Sequence, residues 1–252
     1  MSPSADFFDF DHPQTLPVPT ARVDGDPSPW SHRDDWSNIS LAAVRRALAA
    51  RQQNWPEHDF PRNPLEHEGL AAVDDSLITR RSSVLIALFE EDGEARVILT
   101  RRSSILPVHR GEVAFPGGRT EEGETAIDGA LREAQEEVGL ARDLVTVTGW
   151  LTPLVTFSSG SAIWPIVAEL AQRPPLRPDE REVERIFDVA LADLLAPNAH
   201  RQERWHRDTP RLSDRADGSF PVNFFRAPGD LIWGATARIL VELLSAIAAA
   251  HE

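Results

Sequence analysis

GRTEEGETAIDGALREAQEEVGL, residues Gly118 to Leu140, carries a helix whose two ends can be read directly. Thr125 is placed to cap the N-terminus, with Asp128 three residues on as the return partner of a capping box. Gly139 stands where a helix stops, at the left-handed position past the last turn. Glu133, Glu136 and Glu137 follow an i, i+3, i+4 spacing, so their carboxylates share a face, with Cβ atoms roughly 5–6 Å apart. That arrangement works against the helix. Like charges at this spacing cost a few tenths of a kcal/mol per pair, and acids in the last turn oppose the helix dipole. A solvated acidic face accounts for most Glu-rich helices. It accounts poorly for three acids at the wrong end of a helix that follows a strand-like VAF segment and a Gly117-Gly118 turn. Carboxylate oxygens are the ligands that hard divalent cations prefer, so these acids read as a metal site.

Working outward, Ser83 to Phe89 and Arg96 to Thr100 are strand-like runs joined by EEDGE, whose Asp92-Gly93 is a hairpin turn. Glu112 to Phe115 is a short strand entering the glycine turn. Beyond the helix come strands Val145 to Leu151 and Ala162 to Leu170, separated by the loop VTFSSGS. A Pro-rich segment and a short helix, Val189 to Leu195, follow. His200 to Trp205 and Phe220 to Phe225 read as late strands around a polar loop, Asp208 to Gly218. The last helix lies within Asp230 to Ala250 and is apolar nearly all round, which suits core packing or pairing of two chains. Mixed strands with one central and one terminal helix predict an α/β/α sandwich.

Upstream, residues 1–37 are rich in Pro, Asp and Ser and predict an extended or poorly ordered arm. Phe7, Phe8, Phe10, Trp30 and Trp36 are its apolar anchors. Residues 38–79 hold a helix, Leu41 to Arg51, capped by Ser40 and apolar at Leu41, Val44 and Leu48. A Pro-rich loop, Asn54 to Leu70, connects it to the main body, 80–252.

With 252 residues and 41% hydrophobic content, the chain supports one large packed domain with extensions. It has no Cys, which excludes a disulfide framework and fits a reducing compartment. No apolar run approaches the roughly 20 residues of a membrane span, and the N-terminus lacks a signal-peptide pattern. A cytoplasmic protein without a membrane partner is expected. The net charge of −14 argues against a nucleic-acid partner and leaves room for a small anion at a local basic cluster. Every one of the 26 basic side chains is Arg. Arg101, Arg102, Arg110 and Arg119 gather near the acidic helix with His109. Arg suits phosphate because its planar fork donates two hydrogen bonds at once.

Gly118, Glu124 and the run Arg132-Glu133-Ala134-Gln135-Glu136-Glu137-Val138-Gly139-Leu140, separated by five and seven residues, resemble the complete Nudix box. The preceding LTRRSSILPVHRGEVAFPGG, Leu99 to Gly118, is similar to the extended motif of the coenzyme A pyrophosphatase branch. Ser158 to Gly160, Glu182-Val183 and IWGATARIL from Ile232 also have counterparts there, so the likeness covers about Ser83 to Leu240. Pro107 and Glu112 depart from the branch, which has Arg and Gln at these places.

The resemblance implies a Nudix-like α/β/α sandwich with a mixed sheet, here carrying an irregular N-terminal extension. It implies a diphosphatase dependent on Mg²⁺ or Mn²⁺, held by Glu133, Glu136, Glu137 and the carbonyl of Gly118. Arg132 pairs with Glu124 to orient a ligand, or forms an ordinary ion pair on the helix surface. The general base is Glu133 or a later glutamate, for which Glu182 is the candidate; Glu182 otherwise reads as one acid among several on a turn. Arg102 and Ser103 hold the adenine nucleotide half. His109 and Arg110 contact substrate phosphate, His109 being equally suited to lock its own loop. The expected substrate is coenzyme A or an acyl derivative, cleaved to adenosine 3′,5′-bisphosphate and a 4′-phosphopantetheine compound. Other nucleoside diphosphate compounds (ADP-ribose, NADH or an oxidised nucleotide) are the alternative. The alternative of another class is a Nudix module that binds nucleotide without catalysis.

Overall fold

In this computed structural model the described residues are 14, 16–52, 79–156, 160–206 and 218–251. The first half of the chain forms β1 (Ala21–Asp24), α1 (Leu41–Gln52), β2 (Arg80–Glu91), β3 (Glu94–Arg102), β4 (Val113–Ala114), β5 (Gly117–Arg119) and α2 (Ala126–Val138). A 3-10 turn (Arg142–Leu144) leads to β6 (Thr146–Trp150), β7 (Leu154–Thr156), β8 (Ser161–Glu169), β9 (Val183–Ala190) and α3 (Leu191–Leu195). The chain closes with β10 (His200–His206), β11 (Ser219–Ala227), β12 (Asp230–Trp233) and α4 (Gly234–Ala249).

β2 is the centre of an eight-stranded mixed sheet. It runs parallel to β8 and antiparallel to β3 and β5, while β9 and β4 pair with β3, and β6 and β7 with β8. Its VLIALF run has no polar alternation because both faces are covered. Leu85, Ala87 and Phe89 pack under α2 with Ala130, Leu131, Ala134 and Val138. Ile86 and Leu88 face the opposite way, into the cluster that holds Leu240, Leu243 and Leu244 of α4 and Val44 and Leu48 of α1. The result is the expected α/β/α sandwich with a mixed sheet. The β2–β3 turn falls on Asp92 and Gly93, at φ 54° and 81°. Helix α1 starts at Ser40 as expected, the Ser40 hydroxyl accepting from the Ala43 N–H at 3.3 Å. Among the described residues, no helix is long and apolar enough to cross a membrane.

Several boundaries differ from the sequence expectations. The glycines after VAF do not make the turn. They lie in β5, with Gly118 opposite Ser83 and Gly117 opposite Val84. Val189 belongs to strand β9 and the short helix begins at Leu191. β9 is hard to see locally because charges interrupt its apolar pattern. Each is neutralised by a residue far along the chain: Asp188 by Arg96, Glu184 by Arg101 and Arg185 by Asp230. Within VTFSSGS, residues up to Thr156 form β7; Ser158 and Ser159 lie outside the described residues. The last helix, α4, does lie within Asp230 to Ala250, and strand β12, paired with β11, precedes it there.

A second, four-stranded antiparallel sheet has the order β1-β10-β11-β12, so part of the N-terminal segment is a strand. Trp30 and Trp36 are buried against the core beside α1 and α4. Phe7, Phe8 and Phe10, the loop Asn54 to Leu70, and the polar loop from Asp208 as far as Asp217 lie outside the described residues.

Candidate active site

Helix α2 is built as its sequence predicts. The Thr125 hydroxyl accepts from the Asp128 N–H at 3.1 Å, and Gly139 closes the helix at φ 68°. Asp128 answers the cap by accepting from the Thr125 hydroxyl at 2.6 Å. Because α2 packs on β2 beside β5, its last turns face the two glycines. A Cβ on Gly118 would stand 2.5 Å from Glu133 Oε2 and 2.6 Å from its Cδ. Only glycine lets that carboxylate lie against the strand. One turn later the Gly117 N–H donates to Glu137 Oε2 at 3.0 Å.

Glu137 is almost fully buried, at 4% exposure. Burial pushes its carboxyl up to about 7, opposed by the Gly117 hydrogen bond and by Arg102, whose Nη1 stands 3.6 Å away. Glu133 is raised too, mainly by burial, with Arg132 acting against the rise. Glu136 is different: its side chain is 60% exposed. It is tied to Glu133 through Arg132, whose Nη1 donates to Glu133 at 3.1 Å and to Glu136 at 2.9 Å.

Arg132 is itself fixed. Its Nε and Nη2 donate to the two oxygens of Glu124 at 2.8 and 3.1 Å, and Nη2 also reaches the Arg119 carbonyl at 2.8 Å. Glu124 accepts from the Glu121 N–H, and Arg132 holds its carboxyl below the usual range. This is the pairing expected for Glu124 and Arg132.

Glu182 arrives from a remote segment. The Asp179 N–H donates to the Glu137 carbonyl, the Glu182 N–H to the Asp179 carbonyl, and the Ser103 N–H to the Glu182 carbonyl. These ties bring an exposed Glu182 close enough that its charge raises the pKa of both Glu133 and Glu137. Ser103 is buried and contributes this backbone bond. Arg102 has a buried Nε with no hydrogen-bond partner among the described residues. His109, at φ 56°, bonds through Nδ1 to Glu112 at 3.0 Å, and Glu112 raises its pKa. Arg110 is exposed.

Beside the glycines lies a cavity of ≈ 490 Å³ whose lining includes Gly117, Gly118, Arg80, Arg102, Arg119 and His109. Arg110 does not line it.

Residues 79–209, just over half of the chain, match the NUDIX domain. The chain belongs to the Nudix family. It is 38% identical over 177 residues to Nudix hydrolase 22, chloroplastic, of Arabidopsis thaliana, covering 67% of this chain and 55% of that protein. To Nudix hydrolase 15, mitochondrial, of the same plant it is 37% identical over 182 residues, covering 68% and 60%. To the Yersinia pestis protein named Uncharacterized Nudix hydrolase NudL it is 36% identical over 169 residues, covering 67% and 80%. The chain thus spans little more than half the length of the plant relatives.

In this Nudix domain the oxygen donors at the end of α2 suit a hard divalent cation. The close seating of Glu133 on Gly118 and the buried, proton-seeking Glu137 fit such an ion, whose charge would offset their desolvation. The carboxylates do not meet at one point: among the described residues, no three acid or imidazole side chains form a metal-binding group. Glu136 is held on the outer side of Arg132. Sequence reasoning passed over Arg80 and Trp233, which line the cavity. Trp233 lies in the IWGATARIL segment, whose similarity to the branch assigns it no role.

Proposed function

We propose that this protein hydrolyses the diphosphate bond of coenzyme A or an acyl-coenzyme A with the help of Mg²⁺ or Mn²⁺. The products would be adenosine 3′,5′-bisphosphate and a 4′-phosphopantetheine compound. One observation carries the hydrolase assignment: Glu133 seated on Gly118 and Glu137 bonded to Gly117, at the edge of an Arg-walled cavity. The preference for coenzyme A rests on the likeness of Leu99 to Gly118 to that branch.

Glu133, Glu136, Glu137 and the Gly118 carbonyl would hold the cation. A bound divalent ion supplies neutralising charge to the phosphate oxygens and acidifies water. The chain's own residues do the rest. Arg102, with an unpartnered Nε beside the acids, binds a diphosphate oxygen and screens it from Glu137. Arg132 keeps Glu133 and Glu136 oriented. Glu133 or Glu182 accepts the proton of the attacking water, the two lying close enough for their charges to interact. His109, paired with Glu112, donates to the substrate phosphate when protonated.

Hydrolysis of a panel of nucleoside diphosphate compounds with Mg²⁺ or Mn²⁺, products identified by mass, tests this. Coenzyme A should be cleaved to the two products named. No cleavage of coenzyme A with efficient turnover of ADP-ribose would overturn the substrate assignment.

A further inference from the structure

The cavity wall mixes two chemistries. Arg80, Arg102 and Arg119 line it, and so do Val84, Ile163 and, from the start of α4, Ala235 and Ile239, together with Trp233. The Trp233 indole Nε1–H is buried and has no acceptor among the described residues. A buried donor without a partner costs about 1–3 kcal/mol, and an indole N–H can only donate. The neighbouring Thr236 hydroxyl donates to the Val113 carbonyl at 2.9 Å and is not an acceptor for the indole. Pairing of β12 with β11 sets Trp233 opposite Phe224, so the ring is held by strand geometry and by packing on the second sheet.

We propose that Trp233 is a specificity-determining residue that donates its indole N–H to a neutral carbonyl oxygen in the substrate's second moiety. The moiety is a slender, largely apolar chain attached to a phosphate. The phosphate is bound by the lining arginines and the carbonyl by Trp233. A second phosphate against Trp233 is disfavoured, because an unpaired anion among aliphatic side chains carries a large desolvation cost. This assignment deepens the diphosphate hydrolase proposed above and rests on it for the placement of the phosphate.

The test is calorimetric titration of the full chain, without divalent ion, using 4′-phosphopantetheine and n-octyl phosphate. The first has amide carbonyls and the second has none. The wild-type protein should bind 4′-phosphopantetheine about fivefold or more tightly than n-octyl phosphate. Trp233→Phe, which keeps a ring and removes the donor, should loosen 4′-phosphopantetheine about five- to twentyfold and leave n-octyl phosphate within about twofold. Equal affinity of wild type and variant for 4′-phosphopantetheine overturns the proposal, as does equal loss for both probes. Should thermal unfolding show that Trp233→Phe does not fold, the wild-type comparison decides alone: n-octyl phosphate binding as well as 4′-phosphopantetheine overturns it. Failure of coenzyme A hydrolysis with this binding pattern intact would strike the proposed reaction and support the subsite.

Discussion

Arg102, which lines the cavity, places its Nη1 3.6 Å from the carboxylate of Glu137, joining strand β3 to the last turn of α2. The pair is loose and Arg102 Nε is unpartnered, so the guanidinium retains capacity for a phosphate. Arg102→Ala is expected to raise KM for the diphosphate substrate about tenfold or more, with a smaller fall in kcat. Steady-state kinetics at saturating Mg²⁺ measures it; an unchanged KM would remove Arg102 from the substrate site.

Glu136 offers a test of metal binding apart from folding. Its side chain is mostly exposed and is bonded to Arg132, so Glu136→Gln should leave the unfolding temperature within a few degrees. Hydrolysis should be abolished and Mn²⁺ affinity weakened. Parallel activity, Mn²⁺ titration and thermal unfolding check this, and full activity in the variant would exclude Glu136 as a ligand.

Gly118→Ala asks whether the close seating of Glu133 matters. The added methyl would fall 2.5 Å from Glu133 Oε2, within reach of a side chain able to swing aside. The fold should survive while the carboxylate is displaced, lowering kcat/KM about a hundredfold or more at fixed Mg²⁺. Near-normal turnover would show that the contact is incidental.

Glu137 makes the metal-free protein sensitive to pH. Its folded pKa of about 7 lies above the ordinary value of 4.5. The folded state therefore binds a proton that the unfolded chain has released, and stability falls as pH rises from about 4.5 to about 7. The shift corresponds to at most about 3 kcal/mol. His109, raised by Glu112, loses stabilisation in a similar direction above 6.5, whereas His200, lowered by burial, favours the folded state at higher pH. The difference between wild type and Glu137→Gln isolates the carboxylate. Urea midpoints at pH 5 and pH 7.5 without divalent ion should fall more steeply in wild type, and adding Mg²⁺ at pH 7.5 should recover the loss. Parallel profiles would show that Glu137 carries no excess proton.

What could be read locally was what is made locally. Thr125 and Gly139 bound α2 because a cap and a left-handed stop each depend on contacts within a few residues. Asp92-Gly93 turned the first hairpin for the same reason, and the run Ser83 to Phe89 read as a strand, whose cover on both faces the structure supplied. The i, i+3, i+4 spacing put Glu133, Glu136 and Glu137 on one face; in the structure Arg132 joins Glu124, Glu133 and Glu136, and Glu137 is bonded to Gly117 instead.

Tertiary structure decided the rest. β9 was obscured because its charges are balanced by Arg96, Arg101 and Asp230, partners that no local window contains. β9 and the turn before it carry Glu182 to the acids. The second sheet draws in Ala21–Asp24, and its strand β12 sets Trp233 in the cavity wall. Sequence alone thus determined helix α2, the central strands and the shared face of Glu133, Glu136 and Glu137, since caps, turns and periodicity act over a few residues. Which remote residues come near those acids and line the neighbouring cavity was set only by strand pairing and by burial that drives distant charges and rings together.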